Sequence, residues 1–250
     1  MKRKRTGSSR YFVYFILSIS LIAAVFIGIR TLFTKLSWFN IESIRITGNE
    51  NLETEFLANL SLDFIGLNLY ATSKRDILQK YENIVRIKDI SITRIFPNKI
   101  KINILERKGL FYIRTREGEL FPIDEDCIVL DNDVFYTEEN LPVIATDIST
   151  SDVDFGKKIE DEFLNRILVF YYTVSPEYPD LFNNISEFYK KDNEIILVEA
   201  NIGYKIVFGE DDLIEKIKKY RFLEQNRSFE KGKIVDLRYK DQLVIRADDN

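Results

Sequence analysis

Ile90-Ser91-Ile92-Thr93-Arg94-Ile95-Phe96-Pro97-Asn98-Lys99-Ile100-Lys101-Ile102-Asn103-Ile104 is the stretch on which the fold turns. Ile90 and Ile92 alternate with Ser91 and Thr93, and Ile100, Ile102 and Ile104 alternate with Lys101 and Asn103. Successive side chains of an extended chain point to opposite faces, so each run carries one isoleucine face and one polar face. Phe96-Pro97-Asn98-Lys99 between them has turn chemistry, and the two runs are predicted to form a hairpin. Upstream, Ile41, Ile44 and Ile46 lead into Gly48-Asn49, a strand ending in a turn. Leu52, Phe56, Leu57 and Leu60 then recur at helical spacing, with Glu53 and Glu55 in the first turn, where the helix dipole favours acids. Ser73 is an N-cap candidate for a second short helix through Ile77, Leu78 and Tyr81. The order strand, helix, helix, strand, strand predicts a mixed sheet covered on one face, a small α+β domain over residues 38–107.

Ahead of this domain the pattern changes to that of a membrane anchor. Lys2, Arg3, Lys4, Arg5 and Arg10 form a basic tail over residues 1–10, and the 19 residues from Tyr11 to Ile29 carry no charge. A transmembrane helix needs about 20 mainly apolar residues, whereas a cleavable signal has a shorter core and a small-x-small cleavage site. This run ends in Phe26-Ile27-Gly28-Ile29-Arg30, which is a poor cleavage site, so an uncleaved signal anchor is expected over residues 11–33. Only Arg30 and Lys35 follow closely, which predicts a cytoplasmic tail and an exported remainder by the positive-inside rule. Of 36 Lys and Arg, five precede the run; the other 31 stand against 40 Asp and Glu, a net charge of −9. An exported portion so acidic argues against nucleic acid, and against anionic membrane surfaces, as its partners.

From Gly109 onward many short strands are expected, at Phe111–Thr115, Leu120–Ile123, Cys127–Leu130, Ile195–Val198, Tyr204–Phe208, Ile234–Arg238 and Leu243–Arg246. Asn201-Ile202-Gly203 reads as a hairpin turn. Helices are expected near Glu160–Tyr172 and from Asp211 through Leu213, Ile214, Ile217 and Tyr220. Residues 108–250 thus read as a mostly antiparallel β-domain with helices.

The chain has no histidine, which removes imidazole-based triads, proton shuttles and His metal sites. Its 10 glycines are never closer than six positions, so neither G-x-G-x-x-G nor a P-loop is present. The single Cys127 lacks a disulfide or zinc partner and reads as a buried strand residue. A calcium loop starting at Asp124 would need an oxygen ligand at its fifth position and Gly at its sixth, where Ile128 and Val129 stand. One starting at Asp131, with Asp133, would place Phe135 at the fifth. Asp124, Asp126, Asp152 and Asp154 are therefore expected to be solvated turn or connector residues.

Taken in order, these features resemble the bacterial FtsQ/DivIB family of cell division proteins. The first domain is similar to the FtsQ-type POTRA module through Ile41-Glu42-Ser43-Ile44-Arg45-Ile46-Thr47-Gly48-Asn49, Gly66-Leu67-Asn68-Leu69, Ile92-Thr93-Arg94-Ile95-Phe96-Pro97 and Ile102-Asn103-Ile104-Leu105-Glu106-Arg107. The second half resembles the family's β-domain through Phe121-Pro122-Ile123-Asp124-Glu125-Asp126, Leu141-Pro142-Val143-Ile144, Gly203-Tyr204-Lys205-Ile206-Val207-Phe208-Gly209 and Val235-Asp236-Leu237-Arg238-Tyr239. Ile95 and Phe96 depart from the family's frequent basic residue and Trp, and Gly109-Leu110 from its Pro-Val.

The resemblance implies a non-enzymatic bitopic scaffold of the divisome, without catalytic residues, cofactor or metal. Such a scaffold links early and late division proteins and controls septal peptidoglycan synthesis. Its implied partners are FtsB-like and FtsL-like bitopic coiled-coil proteins and, through them, FtsW and FtsI. Its implied place is the cell inner (cytoplasmic) membrane at the division septum. The partner-binding residues carried over are Arg238 and Tyr239 with the last strand, Leu243, Val244, Ile245 and Arg246. The alternative is a POTRA-containing envelope transport or assembly factor.

Overall fold

The computed structural model describes residues 8–131, 141–209, 212–226, 228–239 and 242–248. They divide into two compact units, Met1–Glu106 and Arg107–Asn250. In the first, helix α1 spans Ser8–Lys35, and its 25 residues Tyr11–Lys35 are long and apolar enough to cross a membrane. Arg10 sits in its first turn, while Lys2, Arg3, Lys4 and Arg5 lie outside the described residues.

Next come β1 (Ser43–Thr47), α2 (Thr54–Asn59), α3 (Lys74–Gln79), β2 (Ile87–Ile95) and β3 (Lys99–Glu106). The sheet order is β1-β3-β2, with β1 parallel and β2 antiparallel to the central β3. Ile46 and Ile92 lie opposite Ile102 on its two sides, and Ile90 lies opposite Ile104. Ile100, Ile102 and Ile104 are buried, along with Leu57 of α2, Ile77 of α3 and Tyr81 just after α3. Each fully buried side chain of this kind contributes roughly 1.5–3 kcal/mol by leaving water. Phe56, expected on the inner face of the first helix, is instead 47% exposed, because α2 is too short for its face to wrap over the sheet.

The expected cap is present: Ser73 Oγ accepts from Arg75 N at 3.1 Å. Glu106, at the end of β3, accepts from the N–H groups of Glu50, Asn51 and Leu52 at 2.9, 3.1 and 3.0 Å, fixing the loop that enters α2. Gly48 turns at φ +85°, where an added Cβ would stand 2.3 Å from the Ile104 carbonyl oxygen, so only glycine fits.

The second unit holds β4 (Phe111–Arg114), β5 (Leu120–Ile123), β6 (Val143–Ala145), α4 (Glu162–Val174), α5 (Pro179–Asn183), β7 (Ile185–Lys191), β8 (Glu194–Glu199), β9 (Lys205–Val207), α6 (Leu213–Asn226), β10 (Lys233–Asp236) and β11 (Val244–Ala247). One sheet runs β11-β10-β9-β8-β7-β6-β4-β5. Among the described residues four neighbouring pairs are antiparallel, and β9–β10, β4–β6 and β6–β7 are parallel. The sheet is thus mostly antiparallel, as the sequence predicts, with parallel neighbours set among the antiparallel ones. The parallel neighbours β9–β10 and β6–β7 are joined through helices, α6 in the first case and α4 with α5 in the second, and alternation within one run cannot show such a crossover. Asp161 caps α4, its Oδ1 accepting from Leu164 N at 2.8 Å. That helix buries Leu164, Ile167, Phe170 and Val174 against Phe111, Phe182, Phe188 and Phe208.

Two local expectations are corrected. Cys127 is buried but lies in a turn at φ +62°, not in a strand. Around it only isolated bridges form, Ile123 with Val129 and Ile128 with Lys158, and burial pushes the thiol above its ordinary pKa. Asp124 is not solvated: it is 1% exposed, ion-paired with Arg107, and accepts from the N–H groups of Asp126 and Ile128, both at 2.9 Å. The turn is so short that its own backbone donors must be satisfied from inside it, and the Asp124 carboxylate does this. Asp126, Asp152 and Asp154 are exposed. Asp133, Phe135 and Asp211 lie outside the described residues.

Candidate partner-docking edge

The six residues singled out from the sequence gather at one end of the eight-stranded sheet. Val244, Ile245 and Arg246 belong to β11, Leu243 leads into it, and Arg238 and Tyr239 leave β10. Strand β11 pairs antiparallel with β10, with Ile234 opposite Arg246, Val235 opposite Ile245 and Asp236 opposite Val244. It is the terminal strand in the sheet order, so one of its two hydrogen-bonding edges has no strand neighbour among the described residues. Such an edge is a ready template for an added strand. Leu243 packs against the main core, whereas Ile245 is 40% and Tyr239 53% exposed.

Arg238 is occupied within the chain. Its Nε and Nη2 donate to Asp236 at 2.9 and 2.6 Å, and its Nη1 lies 3.4 Å from Glu194 on β8. The backbone makes room for it at Gly209, where a Cβ would meet Arg238 Cγ at 3.2 Å. Lys205 of β9 pairs with Asp248 just past β11 and lies 5.7 Å from the Tyr189 ring centroid. A cleft of about 120 Å³ lies among Tyr189, Lys191, Glu194, Arg238, Arg246 and Asp248. Both Arg side chains thus border a small cleft that runs across strands β7 to β11, with Ile196, Val207 and Ile234 also in its lining.

Glu194, Lys205 and Asp248 did not stand out in the sequence. They come from strands distant in the chain, and single charged residues at strand ends carry no periodic signal.

Burial works against the charged form of Asp236, yet the bonds from Arg238 outweigh it and hold the carboxyl below its ordinary pKa. Glu199, at the β8–β9 turn, behaves alike: burial opposes the charge, and bonds from the N–H groups of Ile202 and Asn201 at 2.6 and 2.9 Å prevail. A depressed carboxyl pKa contributes stability that is complete above the ordinary value of about 4 and is lost as pH falls through the folded-state value. The melting temperature of the detergent-solubilised chain is therefore expected to fall as pH drops below that range. Asp236→Asn is expected to flatten the fall. A melting temperature constant across the acid range in circular dichroism would refute this.

Comparison with known proteins adds the family context. Residues 39–107 match the family described as POTRA domain, FtsQ-type. A cell division protein DivIB from Clostridium botulinum (strain Hall) is 34% identical over 169 residues, which are 67% of this chain and 63% of that protein. A DivIB from Bacillus subtilis (strain 168) is 22% identical over 241 residues, 94% of this chain and 84% of that one. A DivIB from Brevibacillus brevis is 27% identical over 132 residues, 52% and 47% of the two chains. The chain thus spans somewhat less than two thirds of the length of the Clostridium botulinum relative.

Proposed function

Since the chain carries an FtsQ-type POTRA domain and is homologous over much of its length to DivIB cell division proteins of the FtsQ family, we propose that it is a non-enzymatic, single-pass scaffold of the divisome. It links early and late division proteins and controls septal wall synthesis by binding FtsB-like and FtsL-like bitopic proteins, and through these FtsW and FtsI. The order of parts carries this reading. An apolar helix of membrane-spanning length runs directly into the POTRA domain, and the sheet of the following unit carries at one end a strand, β11, with no outer neighbour among the described residues. Lys2, Arg3, Lys4, Arg5 and Arg10, ahead of the apolar run of α1, against Arg30 and Lys35 near its end, favour a cytoplasmic N-terminus. The bulk of the chain is then extracytoplasmic. The open edge of β11, with exposed Tyr239 beside it, fits a partner that adds a strand.

Depletion tests the reading. Cells that lose the protein are expected to grow into filaments with segregated DNA, and a fluorescent fusion is expected at midcell. Depleted cells of normal length would overturn the scaffold. A fusion spread evenly over the envelope would favour a transport or assembly factor instead.

A further inference from the structure

Helix α1 does not end in a free linker. Asn68 Nδ2 donates to the carbonyl oxygens of Phe33 and Leu36 at 3.0 and 3.4 Å, so a residue of the POTRA domain caps the helix C-terminus. Phe33 stacks on Phe39 with ring centroids 4.8 Å apart, and Tyr70 meets both rings edge-on at 5.5 and 5.3 Å. The same ring cluster continues outward, with Phe39 5.8 Å and Trp38 6.2 Å from Phe96. Phe96 belongs to the β2–β3 turn, far away in sequence. That turn is brought here because β3 runs parallel to β1, and Glu42 N donates to Asn98 O at 2.9 Å.

The outer members of the cluster are bare. Trp38 is 65% and Phe96 61% exposed, and Ile95, Leu36 and Leu67 beside them are exposed as well. An apolar rim of this size on a folded domain marks a contact surface. Its position decides which one. The 25 residues Tyr11–Lys35 extend about 37 Å at about 1.5 Å per residue, more than the roughly 30 Å of hydrocarbon. The C-terminal turn of α1 therefore emerges among the lipid headgroups, and the rim fastened to it lies at the same level. Trp at this level is favoured because its ring is apolar and its N–H reaches water.

The geometry points to the outer leaflet of the bilayer as the occupant of this rim: the POTRA domain rests on the membrane through Trp38, Phe96 and Ile95, and is not held away from it on a flexible stalk. This rests on the reading of α1 as the membrane anchor.

Trp38 is the single tryptophan of the chain, which allows a direct test. In a Trp38→Phe background, Phe96→Trp puts the only tryptophan on the β2–β3 turn. Leu105→Trp puts it instead on the far end of β3, about 20 Å away at about 3.3 Å per residue; Leu105 is 53% exposed. Each full chain is reconstituted into vesicles containing lipids brominated along the acyl chains, and retention after alkaline carbonate washing is measured on the same samples. Tryptophan at 96 is expected to be blue-shifted, quenched several-fold more by brominated lipid than tryptophan at 105, and shielded from aqueous acrylamide. A carbonate-resistant protein whose tryptophan at 96 emits and quenches as in water would overturn the docking while sparing the anchor, and would leave the rim to a protein partner. Release by carbonate would overturn the anchor and the docking with it.

Discussion

Tyr239→Ala in the full chain is expected to weaken binding of the outer segment of an FtsB-like partner by at least about tenfold, equivalent to about 1.4 kcal/mol, without altering the fold. Tyr239 is 53% exposed next to an open strand edge, so its ring contributes little to the fold and is available to a partner. Truncation of a buried Tyr anchor in an interface typically costs about 2 kcal/mol or more. Arg238→Glu is a poorer test, although the same motif points to it. Asp236 has a side chain only 2% exposed and accepts from both Arg238 Nε and Nη2. Reversing the charge would set two acids against each other in a dry site and unfold the edge locally, so that a lost interface and a lost strand would look alike. Ile245→Asp is the better companion. Ile245 is exposed on β11, and a charge there disfavours a desolvated strand pairing while leaving the pairing of β10 with β11 intact. Wild-type affinity in both Tyr239→Ala and Ile245→Asp, with wild-type circular dichroism, would place the partner elsewhere.

What was legible in the sequence depended on the range of the interactions. The Ile90–Ile104 hairpin follows from alternation and a Pro-Asn turn within fifteen residues; Ile92, Ile100, Ile102 and Ile104 are buried where alternation places them, and Ile90 is half-buried. Ser73 as an N-cap is equally local. The parallel neighbours β4–β6–β7 are not legible in this way. β6 is three residues long, and its partners lie roughly 30 and 40 positions away on either side, so no short-period signal marks it. At the candidate edge, Arg238 and Tyr239 could be singled out by resemblance. The commitment of Arg238 to Asp236 and Glu194 became visible only when β8 and β10 were placed in one sheet. The burial of Asp124 is hidden from the sequence for a related reason. Acidic turn residues are usually wet, and the Arg107 that changes its setting comes from 17 positions upstream.

Burial of Asp124 reverses the outcome that a solvated turn acid would give: Asp124→Ala should be among the most damaging single changes in the second unit. The Asp124 side chain is 2% exposed and that of Arg107 18%. The carboxylate neutralises the guanidinium and also accepts from two backbone N–H groups of its own turn, those of Asp126 and Ile128. Alanine would strand those donors and leave Arg107 with only the half-exposed Asp126, 3.4 Å away, as an acid of this turn. Removing one member of a buried pair costs about 3–5 kcal/mol, and the partial exposure of Arg107 puts the expected loss near the lower end. Against a total stability of about 5–15 kcal/mol, that is a large fraction. At about 2–4 °C per kcal/mol for a unit of this size, the melting temperature should fall by roughly 10 °C. Asp124→Asn, which keeps the acceptor oxygen and loses the charge, should fall between alanine and the native chain. Asp152→Ala and Asp154→Ala should stay within about 0.5 kcal/mol of it: Asp152 is exposed, and the Asp154–Lys157 pair is 62% and 73% exposed and screened by water. An unchanged melting temperature in Asp124→Ala would disprove the buried pair. A variant restored to normal melting by a stabilising change elsewhere, yet still unable to support division, would mean that this carboxylate also acts on a partner.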